Sequence, residues 1–314
     1  MTRVLLTGAS GFVGTNALDL LLDRGHEVHA VARTAGAERP GVVWHECDLL
    51  AAGAPEGLAR AAQAEKLLHL AWYATPGRFW TAPENERWID ATLRLLRAFG
   101  EGGGGRAVLA GTCAEYAWGE DLLSEDLTPL APATLYGACK HATHVAAAAL
   151  AEQVRVSLAW GRIFFLYGPR EDPSRLVASV ARGLLSGQDV ATTDGSQRRD
   201  FMHVRDVARA FVALLDSDVE GAVNIASGHA PPVRDIATLI AREAGAPEHL
   251  LLGALPQRPG EPPVIAADVR RLGGEVGFHP SIALGRGIAE TVGWWRSELA
   301  GAGAGAAEPD GRST

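Results

Sequence analysis

Three glycines, Gly8, Gly11 and Gly14, follow the first apolar stretch of the chain and constrain its fold more than any other feature. Residues 3–7 have the pattern of a buried strand, and residues 11–24 have that of a helix. In such a strand–turn–helix unit, the glycines permit a tight turn, approach of a pyrophosphate to the backbone, and close packing of the helix on the sheet. The helix N-terminus then offers unpaired N–H groups to the anion. The spacing is one residue longer than the common fingerprint, but its position predicts a dinucleotide site.

Short apolar strands alternate with helices through the first half of the sequence. Strands are predicted at 3–7, 27–32, 42–47, 66–70, 106–110 and 155–160, and helices at 11–24, 84–99 and 133–153. This alternation predicts βαβ units, and therefore an α/β fold with a Rossmann-type doubly wound parallel sheet. The glycine run 102–105 is predicted to be a loop rather than a second phosphate cradle, because no helix starts after it.

The character of the sequence changes after Gly168, where prolines cluster and short elements replace the regular alternation. We therefore predict a dinucleotide-binding Rossmann domain over residues 1–167. Residues 168–299 are predicted to form mainly a smaller, mixed substrate-binding lobe, with segments that return to the sheet. The glycine- and alanine-rich residues 300–314 predict a disordered tail.

Composition argues against several functional classes. The formal net charge is −8 and no run of basic residues is present, so neither a nucleic acid nor an anionic membrane is an expected partner. Cys47, Cys113 and Cys139 form no Cys-x-x-Cys pair, so we predict neither a metal site nor a disulfide framework. The sequence has no signal-peptide pattern and no apolar run of membrane-spanning length, which predicts a cytoplasmic protein.

Lysine is rare in this chain, with two residues against 27 arginines, and Lys140 follows Tyr136 by four positions. On a helix, residues i and i+4 share one face, so the ammonium group can approach the side that carries the phenol. A nearby positive charge favours the phenolate and lowers the pKa of a tyrosine from about 10 towards neutrality. The pair therefore predicts a proton donor or acceptor. The neighbouring His141 and His144 are expected to be structural, since no complete ligand set accompanies them.

The end of the second predicted strand bears on the choice of nucleotide. A carboxylate there would hydrogen-bond the ribose of NAD, but the chain has Arg33, which can pair with a 2′-phosphate, and Ser10 can add a hydroxyl. NADP(H) is therefore the preferred prediction and NAD(H) is possible, with a solvated Arg33 as the alternative. Asp48, after the third strand, is placed to reach the adenine edge or to cap a helix.

Further motifs follow in order along the chain, and the resemblance that they support covers roughly residues 2–296. They are Asp48-Leu49, His69-Leu70-Ala71, Thr112, Tyr136-x-x-x-Lys140, Arg162-x-x-Phe165-x-Tyr167-Gly168-Pro169 and Arg199-Asp200-Phe201-Met202-His203. With them the chain resembles the extended short-chain dehydrogenase/reductases and, more narrowly, the NAD(P)-dependent epimerase/dehydratase family that acts on nucleotide sugars.

The resemblance implies roles for particular residues. Tyr136 would be the acid/base, Lys140 would bind the nicotinamide ribose and lower the tyrosine pKa, and Thr112 would hydrogen-bond the reacting oxygen. The implied cofactor contacts are Gly8, Ser10, Gly11, Phe12, Val13, Gly14, Arg33, Asp48, Leu49, Leu70, Ala71, Tyr136 and Lys140. The implied substrate contacts are Thr112, Cys113, Phe165, Arg199 and Arg258, the two arginines holding a diphosphate. A homodimer is also expected, because family members often dimerise through two helices.

Departures from the family pattern narrow the predicted reaction. The 4,6-dehydratases of the family carry Asp-Glu directly after the threonine, where this chain has Cys113 and Ala114, so a dehydratase is not expected. Glu115 comes one position late, and its side chain should point to the opposite face if the strand continues. The epimerase–reductases of the family place a cysteine at the position of Ala114, so Cys113 is out of register and is interpreted as a small buried residue.

Two reactions then stay open. Arg33, and Phe165 in place of a usual asparagine, favour an NADPH-dependent 4-ketoreductase of an NDP-4-keto-6-deoxyhexose in deoxysugar biosynthesis. A nucleotide-sugar 4-epimerase that retains NAD is the alternative. A dinucleotide-sensing regulator is a non-enzymatic alternative, although a sensor would not need Thr112, Tyr136 and Lys140. The aromatic segment 72–80 predicts either a lid over a hexose ring or plain loop packing.

Overall fold

The computed structural model describes residues 1–119, 122–257 and 259–305, and these form two compact units. The first unit consists of Met1–Leu166, Asp200–Ala230 and Val264–Ser281. The second consists of Tyr167–Arg199, Pro231–Pro263 and the chain from Ile282 onwards. The first unit is therefore assembled from three separate stretches of sequence.

The described residues form the following strands: β1 (Arg3–Thr7), β2 (Glu27–Ala32), β3 (Val42–Glu46), β4 (Lys66–His69), β5 (Arg106–Thr112), β6 (Ser157–Ile163), β7 (Phe165–Tyr167), β8 (Val190–Ala191), β9 (Arg198–Arg199), β10 (Phe201–His203), β11 (Gly221–Ile225), β12 (Leu250–Leu251) and β13 (Val264–Ile265). They form the following α-helices: α1 (Phe12–Asp23), α2 (Ala54–Ala62), α3 (Glu84–Glu101), α4 (Leu135–Val154), α5 (Leu176–Leu185), α6 (Val204–Asp216), α7 (Val233–Ala244), α8 (Arg270–Gly274) and α9 (Leu284–Gly305).

The first unit contains a seven-stranded parallel sheet in the order β3-β2-β1-β4-β5-β6-β11. The strand order reverses between β1 and β4, with Val4 in register with both Val28 and Lys66. In doubly wound sheets, ligands bind at the carboxyl ends of the strands where the order reverses. The predicted α/β Rossmann-type fold is thus confirmed.

The central strands are buried on both faces, as expected for a parallel sheet covered by helices. Every residue of β5 is buried. On one face of the sheet, α1 and α6 pack together, and Phe211 of α6 is completely buried. On the other face, α3 packs against α4 and α2. None of the helices in the described ranges combines the length and the apolar character needed to cross a membrane.

In the second unit, α5, α7 and α9 pack against one another. The Arg182 guanidinium of α5 lies 5.1 Å from the ring centroid of Trp295 on α9. Helix α9 continues to Gly305, so it extends into the segment 300–314 that was predicted to be a tail. The rest of that segment, 306–314, lies outside the described residues.

Candidate cofactor and catalytic site

The turn between β1 and α1 is closely packed at its first and third glycines. Gly8 has a φ of +71°, and a Cβ there would lie 2.9 Å from the backbone nitrogen of Ala71. A Cβ at Gly14 would lie 2.0 Å from the carbonyl oxygen of Gly8, so only glycine lets α1 approach the turn this closely. Gly11 is the N-cap of α1, whose first turn has no side-chain cap and no acidic residue. The amides of this turn can therefore bind the pyrophosphate of a dinucleotide.

Replacing Gly14 with alanine is expected to weaken NAD binding and to destabilise the protein. The added methyl group would force α1 away from the turn, and such overpacking typically costs about 1–3 kcal/mol. The change is measured by titration with NAD and by thermal unfolding. Gly57→Ala is the matched control, because a Cβ at this helical glycine meets no atom within 4 Å. Equal NAD affinity in both variants would contradict this account of the turn.

The ends of β2 and β3 define the environment predicted for the adenosine ribose. Arg33 follows β2 and is exposed, as is Ser10. Glu46 of β3 pairs in register with Ala32, and its Oε1 accepts a hydrogen bond from the Ala35 amide at 2.9 Å. A carboxylate therefore stands beside the end of β2 although it belongs to the next strand. Its negative charge would oppose a 2′-phosphate close by.

Asp48 is exposed, and its Oδ1 accepts a hydrogen bond from the Leu50 amide at 3.0 Å. This is a local turn contact, and the N-cap of the next helix, α2, is Gly53 rather than Asp48. The neighbouring Leu49 is buried in the apolar cluster that also contains Val31. The structure thus places Asp48 near the end of β3, where its carboxylate accepts a hydrogen bond within its own loop.

A buried histidine connects β1, β4 and α3 below this turn. His69 Nδ1 lies 2.7 Å from Thr7 Oγ1, and its Nε2 lies 3.0 Å from Thr92 Oγ1. Burial, and secondarily the charge of Lys140, lower the pKa of His69 to about 3, so the ring is neutral at physiological pH. The Ala71 amide donates to Thr7 Oγ1 at 3.3 Å, which fixes the backbone beside Gly8.

The first turn of α4, which carries Tyr136, lies close to the turn that follows Thr112. Thr112 ends β5, is buried, and its Oγ1 accepts a hydrogen bond from the Ala114 amide at 3.2 Å. Tyr136 is half-buried in the first turn of α4. A Cβ at Gly137 would lie 2.3 Å from the Ala114 carbonyl oxygen. The first turn of α4 therefore packs directly on the turn that follows Thr112.

Lys140 points into the protein from the second turn of α4. Its side chain is 4% exposed, and its Nζ donates to the Ala110 carbonyl at 2.7 Å. Nζ also lies 3.8 Å from the ring centroid of Trp72. Burial lowers the pKa of Lys140 to about 7, and the charge of Glu115 opposes this shift. The Lys140 ammonium and the first turn of α4, which carries Tyr136, thus lie at the carboxyl end of β5.

Two aromatic side chains of the loop between β4 and α3 pack against Tyr136. The ring centroids of Phe79 and Tyr136 are 4.8 Å apart, and those of Trp80 and Tyr136 are 5.9 Å apart. The Tyr136 amide donates to the Trp80 carbonyl at 3.2 Å. The predicted aromatic segment therefore contacts the candidate acid/base.

Glu115 belongs to a buried network of hydrogen bonds and an ion pair that was not predicted from the sequence. It is fully buried and forms an ion pair of 2.9 Å with Arg162. It also accepts hydrogen bonds from the Trp160 indole at 2.9 Å and from the Thr112 amide at 2.8 Å. Arg162 donates in turn to the phenol of Tyr116 at 3.0 Å. Glu115 therefore holds the end of β5 in place and is not a free acid or base.

His141 and His144 lie beside this network, and their ring nitrogens and a Glu115 oxygen lie within 4.8 Å of one another. A metal ion there would meet the Arg162 guanidinium, whose Nη2 is 3.4 Å from His144 Nδ1. His144 also stacks on Trp160 at 4.9 Å, and burial lowers its pKa to about 4. The adjacent positive charge argues for a structural role of these histidines.

The predicted substrate contacts fall in different places. Cys113 is buried directly after Thr112, and Phe165 is half-buried and packs on Phe201 with 5.3 Å between ring centroids. Arg199 belongs to the second unit, is 5% exposed, and donates to Glu261 at 2.8 Å. Its charge is therefore already paired with a carboxylate. Arg258, the other predicted diphosphate contact, lies outside the described residues.

Comparisons with known proteins agree with the fold and the motifs. Residues 4–226 match the family model described as "NAD dependent epimerase/dehydratase family". The chain is 27% identical over 317 residues to UDP-glucuronic acid decarboxylase 1 from Xenopus tropicalis, covering 95% of this chain and 73% of that protein. It is 28% identical to UDP-glucose 4-epimerase from Thermus thermophilus, solved in complex with NAD, with a TM-score of 0.83 over 94% of this chain and 99% of that one. It is 31% identical to MoeE5, solved in complex with UDP-glucuronic acid and NAD, with a TM-score of 0.83 over 95% of this chain and 100% of that one.

These matches confirm the predicted resemblance, the fold class and an oxidoreductase-type enzyme that acts on CH–OH groups. The two neighbours above were solved with NAD, so the predicted preference for NADP stays a prediction. The family model spans well over half of the sequence. The chain therefore belongs to the NAD dependent epimerase/dehydratase family.

Proposed function

We propose that the protein is a nucleotide-sugar 4-epimerase that uses NAD, oxidising and then re-reducing a single sugar carbon. One observation carries this proposal. Lys140 bonds the Ala110 carbonyl near the end of β5, the first turn of α4 with Tyr136 packs on the turn after Thr112, and the positions that would supply a further acid and base for dehydration hold Cys113 and Ala114. Glu115, the next carboxylate, is engaged by Arg162. Such a site favours a redox step at one carbinol without elimination.

The cofactor would be held by the turn between Gly8 and Gly14, with Asp48 near the adenosine and Lys140 near the nicotinamide ribose. The close packing of Gly8 and Gly14 and the uncapped start of α1 fit this group. When bound, NAD would supply the hydride acceptor and donor for the sugar carbon.

Residues of this chain hydrogen-bond the reacting sugar oxygen and transfer its proton. Thr112 Oγ1 accepts from the Ala114 amide, which leaves the hydroxyl hydrogen to donate to the sugar oxygen. Tyr136 takes the proton of the sugar hydroxyl during oxidation and gives it back during reduction. The Lys140 ammonium favours the phenolate form of Tyr136.

An NADPH-dependent 4-ketoreductase of an NDP-4-keto-6-deoxyhexose is the second candidate. Arg33 favours it, because this arginine is exposed at the end of β2 where an NAD-selective chain would have a carboxylate. Glu46 argues in the opposite direction, since its carboxylate is bound to the same loop. Homodimer formation and a cytoplasmic location stay predictions.

Incubation with UDP-glucose separates these candidates. For the 4-epimerase, we expect conversion to the C4 epimer with NAD present and no net accumulation of NADH. For the ketoreductase, we expect NADPH oxidation only when a keto-sugar nucleotide is supplied. UDP-glucuronic acid is the second probe, because MoeE5 was solved with it. No epimer from either nucleotide sugar, together with NADPH oxidation on the keto sugar, would refute the epimerase proposal.

A further inference from the structure

We propose that Trp72 is a positioning residue for Lys140, with its indole face holding the ammonium group in place. This inference rests on the function proposed above for Lys140. Trp72 lies in the loop after β4, whereas Lys140 lies on α4. The two residues are 68 positions apart, and the sequence motifs assigned no partner to either of them beyond the cofactor and Tyr136.

The geometry is that of a close cation–π contact. Nζ of Lys140 lies 3.8 Å from the Trp72 ring centroid, well inside the range of about 6 Å over which such contacts act. The second aromatic ring near Nζ, that of Trp160, is 6.0 Å away. Because Lys140 is 4% exposed, its charge depends on protein partners rather than on water. The Ala110 carbonyl satisfies one N–H group, and the Trp72 face is the other close partner in the described residues.

Trp72 itself is rigidly held. Its indole Nε1 donates to Asn85 Oδ1 at 2.8 Å, and Asn85 is completely buried. The Asn85 amide nitrogen donates to the carbonyls of Phe79 and Ala82 at 2.7 and 2.9 Å. Trp72 also stacks on Trp88 with 5.8 Å between ring centroids. The indole therefore cannot turn away from Lys140 without breaking a partly buried hydrogen bond.

The groups around the ammonium determine how the contact affects its protonation. Glu115 favours the charged form, whereas burial opposes it and lowers the pKa of Lys140 to about 7. His69 is neutral at this pH, Arg162 is paired with Glu115, and Tyr136 lies one turn away on the same helix. The ring face stabilises only the ammonium. Its removal should lower the Lys140 pKa further, so that less of the charged form exists near neutral pH.

Nuclear magnetic resonance of lysine-labelled protein tests this directly, because the chain has two lysines. The second, Lys66, pairs with Asp216 at 2.7 Å, and the Lys66→Arg variant assigns the two signals. We expect the Lys140 ε-methylene protons to be shifted upfield by the indole ring current. In Trp72→Leu this shift should disappear and the Lys140 pKa should fall by about one unit. Trp72→Phe should keep most of both signatures.

Trp44→Leu is the matched control, because it removes an indole from β3 and should leave the Lys140 signal unchanged.

Activity with UDP-glucose gives a second readout. The alkaline limb of the kcat profile of Trp72→Leu should move to lower pH, with little change in KM. An unshifted Lys140 signal in the wild-type protein, or an unchanged Lys140 pKa in Trp72→Leu, would overturn the inference. The upfield shift of the Lys140 signal in the wild-type spectrum tests the contact even if a variant does not fold. A protein inactive on nucleotide sugars would refute the proposed function while the Lys140 spectrum still tested Trp72.

Discussion

Tyr136→Phe is expected to lower turnover by roughly 10²–10⁴-fold while NAD affinity and stability stay close to those of the wild type. The substitution removes only the phenol oxygen. The ring contacts with Phe79 and Trp80 do not need that oxygen, so the first turn of α4 should keep its place. Without the phenol oxygen, the proton of the sugar hydroxyl has no acceptor at this position.

Steady-state rates with UDP-glucose and NAD titrations measure the two parts of this prediction. Tyr167→Phe is the matched control: it makes the same chemical change at a buried tyrosine of the second unit, whose phenol donates to the Leu284 carbonyl at 3.3 Å. Full activity in Tyr136→Phe would remove the assigned acid/base. For a dinucleotide-sensing regulator, the biological effect would survive this substitution.

Glu115→Gln is expected to destabilise the first unit by about 3–5 kcal/mol, because it leaves the buried Arg162 charge without its counter-ion. Arg162 is 1% exposed, so water cannot replace the carboxylate. The Thr112 amide and the Trp160 indole would also lose a charged acceptor. Activity should therefore fall together with stability, since the end of β5 carries Thr112.

A double-mutant cycle with Arg162→Met separates the pair from its surroundings. The double variant should lose much less than the sum of the two single variants, because no uncompensated charge remains buried. Urea unfolding followed by tryptophan fluorescence provides the free energies, with Trp160 inside the network. Additive losses would show that the 2.9 Å contact between Arg162 and Glu115 contributes no coupling.

The parts of the fold that follow from local pattern could be predicted. Strand β5 was predicted because its apolar run is continuous, although it extends two residues further, to Thr112. Helix α2 was missed because its nine residues are few and include a proline and a glycine. The glycine turn, Thr112 and the Tyr136–Lys140 pair could be found because chemistry requires those residue types at fixed spacing.

The tertiary contacts around the candidate site could not be predicted, because they join residues that are distant in sequence. Glu115 was expected to point to the opposite face only if the strand continued, but the chain turns after Thr112 and the carboxylate pairs with Arg162, 47 positions later. Glu46 was overlooked at the nucleotide end because it lies on β3 rather than on β2. Trp72 was assigned to a lid or to loop packing, and only the tertiary structure places its ring over Lys140.

The division of the first unit among three stretches of sequence limits how the chain can be shortened and how it can fold during synthesis. A fragment that ends near residue 166 would lack β11 and α6. It would leave the edge of β6 unpaired, and an unpaired strand edge is a template for aggregation. It would also expose the surface at Gly161 against which Phe211 packs. The dinucleotide-binding sheet is therefore incomplete on the ribosome until Ile225 has emerged, after part of the second unit has already been made.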